Sequence, residues 1–319
     1  MIKKIKDINS AVKILNNEGI IGFPTETVYG LAGNIYSAKA INAIFEIKKR
    51  PKFNPLIVHI SNINDLDKIA IDIPDKALQL CRFFWPGSLT LLLKKHPSIS
   101  DLITAGKPTV AVRMPNHKMA LSLLDALDFP LAAPSANPFG SISPTTAQHV
   151  ADYFPLELEA VLDGGDCENG IESTIVGFED EKVIIYRLGA IAVEEIEAVI
   201  GKTENYISND VAPVAPGMLK KHYAPKTNFI LTDNVENEIA NHQHLKIGVL
   251  SFYKKYTSKS IVSLKVLSND KNLKEASKKL YAMMHQLDKE NLDIIIAEKF
   301  IDVHLGKSIN DRLSRAAEK

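Results

Sequence analysis

The chain has 319 residues, of which 45% are hydrophobic and 24% are charged, and its formal net charge is zero. This composition is that of an ordinary globular protein with enough apolar residues for a core, and a chain of this length predicts two domains. Zero net charge argues against a protein whose whole surface binds nucleic acid, although it leaves room for a local basic groove.

Cysteine usage and the lack of long apolar runs predict a cytoplasmic protein. The two cysteines, Cys81 and Cys167, lie far apart and outside any CxxC spacing, which fits a reducing compartment without a disulfide framework. Charged residues are mixed into the first seven positions, so no secretory signal is expected. No segment approaches the run of about 20 apolar residues that a membrane span needs.

Helical and extended patterns alternate through the first two thirds of the chain. Apolar residues at helical spacing predict helices, and short apolar runs bounded by glycine or proline predict strands. The predicted helices cover 8–17, 37–49, 63–69, 117–127, 145–153 and 193–200, and the predicted strands cover 20–23, 56–60, 89–94, 110–113, 131–133, 161–162, 173–178 and 182–187. This mixture predicts the α/β or α+β class with one substantial sheet.

A change in composition predicts a linker and a second, smaller domain. Residues 202–228 are polar and then rich in proline and glycine, without periodicity. Beyond them, strands are predicted at 247–250, 262–266 and 292–297 and helices at 273–287 and 308–317, which is typical of a small Rossmann-like unit. No glycine-rich nucleotide fingerprint occurs there. We divide the chain into a domain at 1–203, a linker or lid at 204–228 and a domain at 229–319.

Two polar segments of the first domain allow both a structural and a functional interpretation. Residues 24–31, PTETVYGL, follow a predicted buried strand, and Thr25 or Thr27 could cap a helix after them. Residues 48–52 carry four cations, which either complement the end of a helix or form a rigid cationic loop that suits a polyphosphate.

Further polar residues lie at predicted strand ends and before a helix. The segment from Ser135 to Thr146 is rich in hydroxyls and precedes a helix, so it predicts either a simple cap or a phosphate site, although not the lysine-bearing P-loop pattern. Arg113 and Arg187 are each predicted at the end of a strand. Each is either a surface salt-bridge partner or a ligand of an anion. The histidines, His59 included, lack metal-binding spacing. Residue spacing alone therefore predicts a two-domain α/β protein that binds an anionic ligand.

Taken in order, nine segments resemble the YrdC-like family, and more closely its long, two-domain threonylcarbamoyl-AMP synthases. Each segment alone is modest evidence, whereas nine in order are highly specific. The segments are PTETVYGL (24–31), KKRPKFNPL (48–56), WPGSLTLLL (85–93), TVAVRMP (109–115), APSANPFGSISPTTA (133–147), LDGG (162–165), GIESTIV (170–176), YRLGAI (186–191) and APGMLKKHYAP (215–225).

The resemblance implies a twisted mixed sheet with a concave cavity, a Rossmann-like second domain, and a linker that closes over the cavity as a lid. It implies three groups of site residues and no protein metal ligand. L-threonine would be bound by Thr27, His59, Arg113 and Ser173. ATP would be bound by Arg50, Asn54, Thr109, Ser135, Asn137, Ser143, Arg187 and Tyr223, with Lys48 and Arg50 assisting catalysis.

The implied reaction joins L-threonine, bicarbonate or CO2, and ATP with its Mg2+ into threonylcarbamoyl-AMP and pyrophosphate. A separate transferase would then modify adenosine 37 of tRNAs that read codons beginning with A. Direct RNA binding is not indicated, because the chain lacks a basic surface with interleaved aromatic residues. The alternatives are an ATP- or RNA-binding relative without synthase activity, a carbamoyl-transfer enzyme with another acceptor, and a non-catalytic ATP or threonine sensor.

Overall fold

Two separate β-sheets organise the chain. The computed structural model describes residues 2–180, 182–206, 214–218 and 222–318. Its helices are α1 (Ile8–Asn16), α2 (Ala38–Lys48), α3 (Asp75–Phe84), α4 (Asp101–Thr104), α5 (Lys118–Asp125), α6 (Ala147–Tyr153), α7 (Val193–Ile200), α8 (Val235–Asn241), α9 (Leu273–Asp288) and α10 (Leu305–Ala317), with a 3-10 helix at Ile63–Lys68.

The strands fall into a large first sheet and a small second one. The first sheet contains β1 (Lys3–Ile5), β2 (Ile21–Phe23), β3 (Gly30–Asn34), β4 (Ile57–His59), β5 (Leu89–Lys94), β6 (Thr109–Arg113), β7 (Leu131–Ala132), β8 (Ala160–Leu162), β9 (Thr174–Glu179), β10 (Lys182–Arg187) and β11 (Glu204–Asn205). The second contains β12 (Asn228–Thr232), β13 (Ile247–Ser251), β14 (Ile261–Val266) and β15 (Ile294–Glu298).

The first sheet is mixed, and its pairing gathers several strand ends at one edge. The strand order is β1-β8-β2-β3-β7-β4-β6-β5-β9-β10-β11. β4 and β6 are parallel with His59 opposite Arg113, and antiparallel β5 places Thr90 opposite the same arginine. β9 runs parallel to β5, and antiparallel β10 places Arg187 opposite Ile175. The ends of β4, β6 and β10 therefore meet the beginnings of β5 and β9.

Helices cover both faces of the first sheet. Successive residues of a strand point to opposite faces of the sheet, so each strand supplies apolar side chains to both helical layers. On one face, Leu31 and Val161 join the largest apolar cluster, which includes residues of α2, α3 and α6. On the other, Ala32 and Leu162 join a cluster with residues of α1 and α5. The sheet is thus a central layer whose polar edge stays free to form a site.

The second sheet is parallel, in the order β12-β15-β13-β14. Ile294 and Ile296 pack with α8 on one face, whereas Ile295 and Ala297 pack with α9 and α10 on the other. This arrangement is an open, Rossmann-like α/β unit. The predicted fold class, a mixed α/β sheet domain followed by a small α/β domain, is confirmed.

Most predicted elements occur, and the differences have local causes. The structure adds β1, β3, β11, β12, α3, α4 and α8. Residues 63–69 form a 3-10 helix rather than an α-helix. The capping interpretation of residues 24–31 was wrong, because the next element is strand β3, and Thr25 Oγ1 instead donates to the carbonyl of Val28 at 2.6 Å.

Only part of the predicted linker lies within the residues that the structure describes. Residues 207–213 and 219–221 lie outside the described part of the chain, so much of the proposed lid cannot be compared with the prediction. Within the described residues, no helix is long and apolar enough to cross a membrane.

One apolar cluster joins the two domains. It contains Val28, Ile142 and Ile171 of the first domain, Tyr223 of the linker, and residues of α9 and α10 such as Leu280. The second domain is therefore packed onto the first through a shared core rather than tethered beside it.

This shared core predicts that shortening a buried side chain of α9 lowers the stability of the protein. Leu280→Ala removes a fully buried side chain and is expected to lower the free energy of unfolding by about 2–5 kcal/mol. Leu156→Ala, at a leucine that is 86% exposed, is the matched control and should change it by less than about 0.5 kcal/mol. Denaturant unfolding measures both, and equal stability of the two variants would contradict the shared core.

Candidate active site

A small cavity lies at the polar edge of the first sheet. Its walls come from the ends of β4, β6 and β10, the segment between β2 and β3, and the start of β9. Eight of the thirteen site residues predicted from the sequence line it: Thr27, Arg50, His59, Arg113, Ser135, Ser173, Arg187 and Tyr223.

Arg113 is fixed in position by three protein acceptors. Its Nη2 forms an ion pair with Glu26, and both side chains are only 4% exposed. Nη1 donates to Thr27 Oγ1 at 2.8 Å, and Nε donates to the carbonyl of Gly87 at 3.1 Å. A guanidinium carries five N–H groups, so two of them remain for a ligand in the cavity.

His59 stands beside Arg113 as a neutral ring. Burial, and then the charge of Arg113, lower the pKa of His59 to about 3. Its Nδ1 lies 3.2 Å from the carbonyl oxygen of Ile57. A neutral imidazole at this place adds a polar group to the cavity without adding a second positive charge next to the arginine.

Arg187 and Ser173 form the opposite wall. Arg187 donates through Nη2 to the Ser173 hydroxyl at 3.0 Å and the Ser173 carbonyl at 2.8 Å, and through Nη1 to the carbonyl of Pro216 at 3.1 Å. The Ser173 hydroxyl also lies 2.7 Å from Thr90 Oγ1. The hydroxyl is thereby oriented towards the cavity by two neighbours.

Arg50 is the cation of the basic loop that reaches the cavity. Its Nη2 donates to Asn54 Oδ1 at 2.6 Å and to the carbonyl of Pro55 at 2.8 Å. Burial, and then the nearby charge of Arg187, lower the pKa of Arg50 to about 9. Two buried arginines that repel each other favour an anion between them.

Lys48 supports the wall from behind and does not line the cavity. It is 1% exposed, and its ammonium donates to the carbonyls of Ser135, at 2.5 Å, and Asn137. Burial, and then the charge of Arg50, hold its pKa well below the usual range. The side chain therefore ties α2 to the Ser135 segment.

Four further predicted residues lie outside the cavity. Asn54 accepts from Arg50, and Asn137 supplies a carbonyl to Lys48. Ser143 Oγ donates to Glu172 at 2.6 Å. Thr109 pairs with Lys94 at the end of β6 opposite to Arg113.

The described part of the linker covers one side of the cavity. Pro216, Gly217, His222 and Tyr223 line it, and the amide of Ala224 donates to the carbonyl of Gly140 at 2.8 Å. Among the described residues, the buried Tyr223 hydroxyl and His222 Nδ1 have no hydrogen-bond partner. Buried polar atoms without partners are rare in proteins, so these two atoms are candidates for contact with a ligand.

Two glutamates were missed by sequence reasoning. Glu26 accepts from Arg113 and from Ser88 Oγ at 2.9 Å. Glu172 lines the cavity and pairs with Arg312 of α10 at 2.9 Å. Their positions in the PTETVYGL and GIESTIV segments were the available signal, but their partners are too distant in sequence to predict.

The described residues contain no group of three or more His, Cys, Asp or Glu side chains arranged to hold a metal ion. The acidic group in the cavity wall is Glu172, whose oxygens already accept from Arg312, Tyr281 and Ser143.

Two family models together match most of the chain. One, described as telomere recombination and named for Sua5, YciO and YrdC, matches residues 13–189. The other, described as the C-terminal domain of threonylcarbamoyl-AMP synthase, matches residues 191–318.

Curated relatives and a solved structure match nearly the full length. The chain is 38% identical to the threonylcarbamoyl-AMP synthase of Bacillus subtilis strain 168, over 97% of this chain and 92% of that protein. It is 37% identical to that of Pyrococcus abyssi, over 97% and 94%. The crystal structure of P. abyssi Sua5 complexed with L-threonine is similar with a TM-score of 0.91 and 36% identity, covering 99% of this chain and 97% of that one.

The fold, the cationic cavity and these comparisons define the class of protein as an enzyme of the nucleotidyltransferase type. The chain belongs to the Sua5/YrdC family and has the two-domain architecture of its threonylcarbamoyl-AMP synthases. The family predicted from the nine segments is confirmed.

The buried position of His59 predicts that it does not titrate near neutral pH. The pKa of His59 in the folded protein is about 3, below the 6.5 of a free histidine. The neutral ring therefore stabilises the fold above pH 6.5, and this stabilisation is lost as the pH falls towards 3. In a histidine NMR titration from pH 8 to 5, the His59 ring shifts should stay constant while free histidine titrates. A His59 midpoint between pH 6 and 7 would contradict the site geometry.

Proposed function

We propose that the chain condenses L-threonine, bicarbonate or CO2, and ATP into threonylcarbamoyl-AMP and pyrophosphate. The observation that supports this proposal best is the set of three buried arginines, Arg50, Arg113 and Arg187, around one cavity. The three substrates carry a carboxylate, a carbonate-derived group and a triphosphate, so an anion-binding cavity suits all of them.

In this proposal, L-threonine binds between β6 and the Ser173 wall. Arg113 offers its two remaining N–H groups to the carboxylate as a fork. Thr27, Ser173 and the neutral His59 supply polar contacts around the amine and the hydroxyl. Contacts to a hydroxyl discriminate substrates more strongly than contacts to one methyl group, which would favour L-threonine over valine.

ATP would occupy the side of the cavity between the other two arginines. Arg50 and Arg187 would bind the phosphates, Ser135 would donate from the wall, and Tyr223 would cover the nucleotide with its hydroxyl, which has no partner among the described residues. Mg2+ would enter as the partner of the triphosphate in the substrate MgATP. The predicted ATP contacts of Asn54, Thr109, Asn137 and Ser143, and the catalytic role of Lys48, stay predictions.

The proposed chemistry has two steps. The neutral threonine amine attacks the carbon of CO2 and releases a proton to form the carbamate. If it attacks bicarbonate instead, the amine proton and the bicarbonate hydroxyl leave together as water. A carbamate oxygen then attacks the α-phosphorus, the bond from that phosphorus to the bridging oxygen breaks, and pyrophosphate leaves. Negative charge spreads over the phosphoryl oxygens, and fixed arginines stabilise it without reorganising.

Both products of these steps are sensitive to water, which gives the linker a role. A carbamate and a mixed anhydride survive longer where water is excluded. We assign catalysis to the domain at 1–203 and the function of a lid to the linker at 204–228, which the domain at 229–319 anchors. The product would pass to a separate tRNA threonylcarbamoyl transferase in the cytoplasm.

The reaction predicts pyrophosphate release that depends on two co-substrates. The purified protein should release pyrophosphate from ATP only when L-threonine and bicarbonate are both present. Arg50→Ala should lower kcat/KM for ATP about 10- to 150-fold, as expected for one charge-assisted contact. Lys52→Ala is the matched control, because this exposed cation lies in the same loop and donates to Asn42 instead.

Pyrophosphate release that does not depend on L-threonine would contradict the proposal. ATP binding without turnover would favour a sensor. Equal effects of the Arg50 and Lys52 substitutions would contradict the assignment of Arg50 to the phosphates.

The lid predicts a difference between two glycines that both have a positive φ. Gly217 has φ +78° and an added Cβ would lie 2.9 Å from Tyr223 Oη and 3.0 Å from Arg187 Nη1, whereas Gly201 has φ +81° with nothing within 4 Å. Gly217→Ala should displace the lid and lower kcat/KM at least about tenfold. Gly201→Ala also places an alanine at a positive φ, far from the cavity, and should leave kcat/KM within about twofold in the pyrophosphate assay. Equal activity of both variants would rule out the lid.

A further inference from the structure

One buried ion pair connects the second domain to the cavity wall. Arg312 Nε, in α10, donates to Glu172 Oε2 at 2.9 Å, and the two side chains are 0% and 7% exposed. Glu172 precedes Ser173 and itself lines the cavity. The contact therefore links a residue of the last helix to the site, across 140 positions of sequence.

Arg312 also touches two other parts of the site. Its Nη2 donates to the carbonyl of Leu188 at 2.7 Å, directly after Arg187. Its guanidinium carbon lies 5.2 Å from the ring centroid of Tyr223, which covers the cavity. One side chain thus contacts the segment before β9, the residue after β10 and Tyr223 of the linker.

Glu172 has two candidate cationic partners. Burial raises the pKa of Glu172. The positive charge of Arg312, and after it that of Arg187, outweighs this effect, so that the pKa is lowered. Arg187 itself donates, within the described residues, to the neutral oxygens of Ser173 and Pro216. If Arg312 were replaced by a neutral residue, the Glu172 carboxylate would pair with Arg187, because a buried charge without a partner is costly.

The geometry holds the carboxylate on the Arg312 side. Tyr281 of α9 donates its hydroxyl to both oxygens of Glu172, at 3.2 and 3.1 Å, and Ser143 donates to Oε1 at 2.6 Å. Together with Arg312, two helices of the second domain therefore fix the orientation of one acidic group in the cavity wall.

We propose that Arg312 is a positioning residue that neutralises Glu172, so that Arg187 stays available for the triphosphate of ATP. Arg312 acts through Glu172 and does not contact substrate. The second domain then contributes to ATP binding indirectly, through the orientation and charge of Glu172. The inference rests on the proposed function, because it assumes that Arg187 binds phosphate.

A second ion pair on the same helix provides a matched control. Lys307 of α10 forms an ion pair with Glu194 of α7 at 2.8 Å, and each side chain is 35% exposed. This pair also joins the two domains, but neither residue lines the cavity. Lys307→Met therefore weakens domain docking without changing the charge around Arg187.

The test compares three full-length variants, Arg312→Met, Lys307→Met and the double variant Glu172→Gln with Arg312→Met. Calorimetry measures the Kd of α,β-methylene-ATP with Mg2+ and the Kd of L-threonine, and the pyrophosphate assay gives KM for ATP. Circular dichroism confirms that each variant is folded.

We expect Arg312→Met to raise the Kd of the analogue and the KM for ATP at least about tenfold. The Kd of L-threonine should change far less. The double variant should recover most of the ATP affinity, because removing the carboxylate frees Arg187, and Lys307→Met should bind both ligands like the wild type. If Arg312→Met does not fold, Arg312→Lys replaces it. This variant keeps the positive charge but loses the hydrogen bond to the Leu188 carbonyl, so its ATP affinity should lie between that of the wild type and that expected for Arg312→Met.

Two outcomes would overturn the inference. A folded double variant that binds ATP as weakly as Arg312→Met, or an equal loss of ATP and threonine affinity, would show that Arg312 only supports the fold. If the wild type binds the analogue but releases no pyrophosphate, the proposed reaction fails while the variants still decide the role of Arg312. A wild type that neither binds nor turns over ATP would contradict both.

Discussion

Several cations are buried around one small cavity, and this constraint explains much of the structure. Lys48, Arg50, Arg113 and Arg187 are each at most 7% exposed, and among the residues described, Arg113 alone of these four has a carboxylate within ion-pair distance. Removing such charges from water costs several kcal/mol each unless partners compensate. Carbonyls, hydroxyls and one glutamate offset part of this cost, and a polyanionic substrate offsets more. The site is thus pre-organised for anions at the expense of stability.

Sheet topology is the reason why these groups meet, and it limits what the sequence could predict. Arg113 and Arg187 were predicted at strand ends, and pairing of β4, β6, β5, β9 and β10 brings those ends to one edge. Thr109 belongs to the same motif as Arg113, but four residues along a strand span about 13 Å, so it lies at the far end. Strand β3, with the sequence GLAGN, has little intrinsic strand preference, and its pairing depends on neighbours that local patterns do not reveal.

The second domain shows the other limit of sequence reasoning. Three of its strands and the helices α9 and α10 were predicted from sequence patterns, whereas β12, α8 and the domain's contribution to the cavity were not. Tyr281, His285 and Arg312 reach Glu172 or Ser143 across more than 100 positions of sequence, and no local signal marks such contacts. The sheet acts as a platform for α9 and α10, whose buried polar side chains complete the wall of a site in the other domain. A shared apolar cluster holds this arrangement together.

If three substrates are joined into a single mixed anhydride in one cavity, the product must contain atoms of all of them. The protein would be incubated with L-threonine, [14C]bicarbonate and [α-32P]ATP, and the nucleotide products separated rapidly. We expect one new product that carries both labels in equal amounts, together with an equal amount of pyrophosphate. Labelled AMP or ADP without carbon label, formed at the same rate when threonine is omitted, would contradict it.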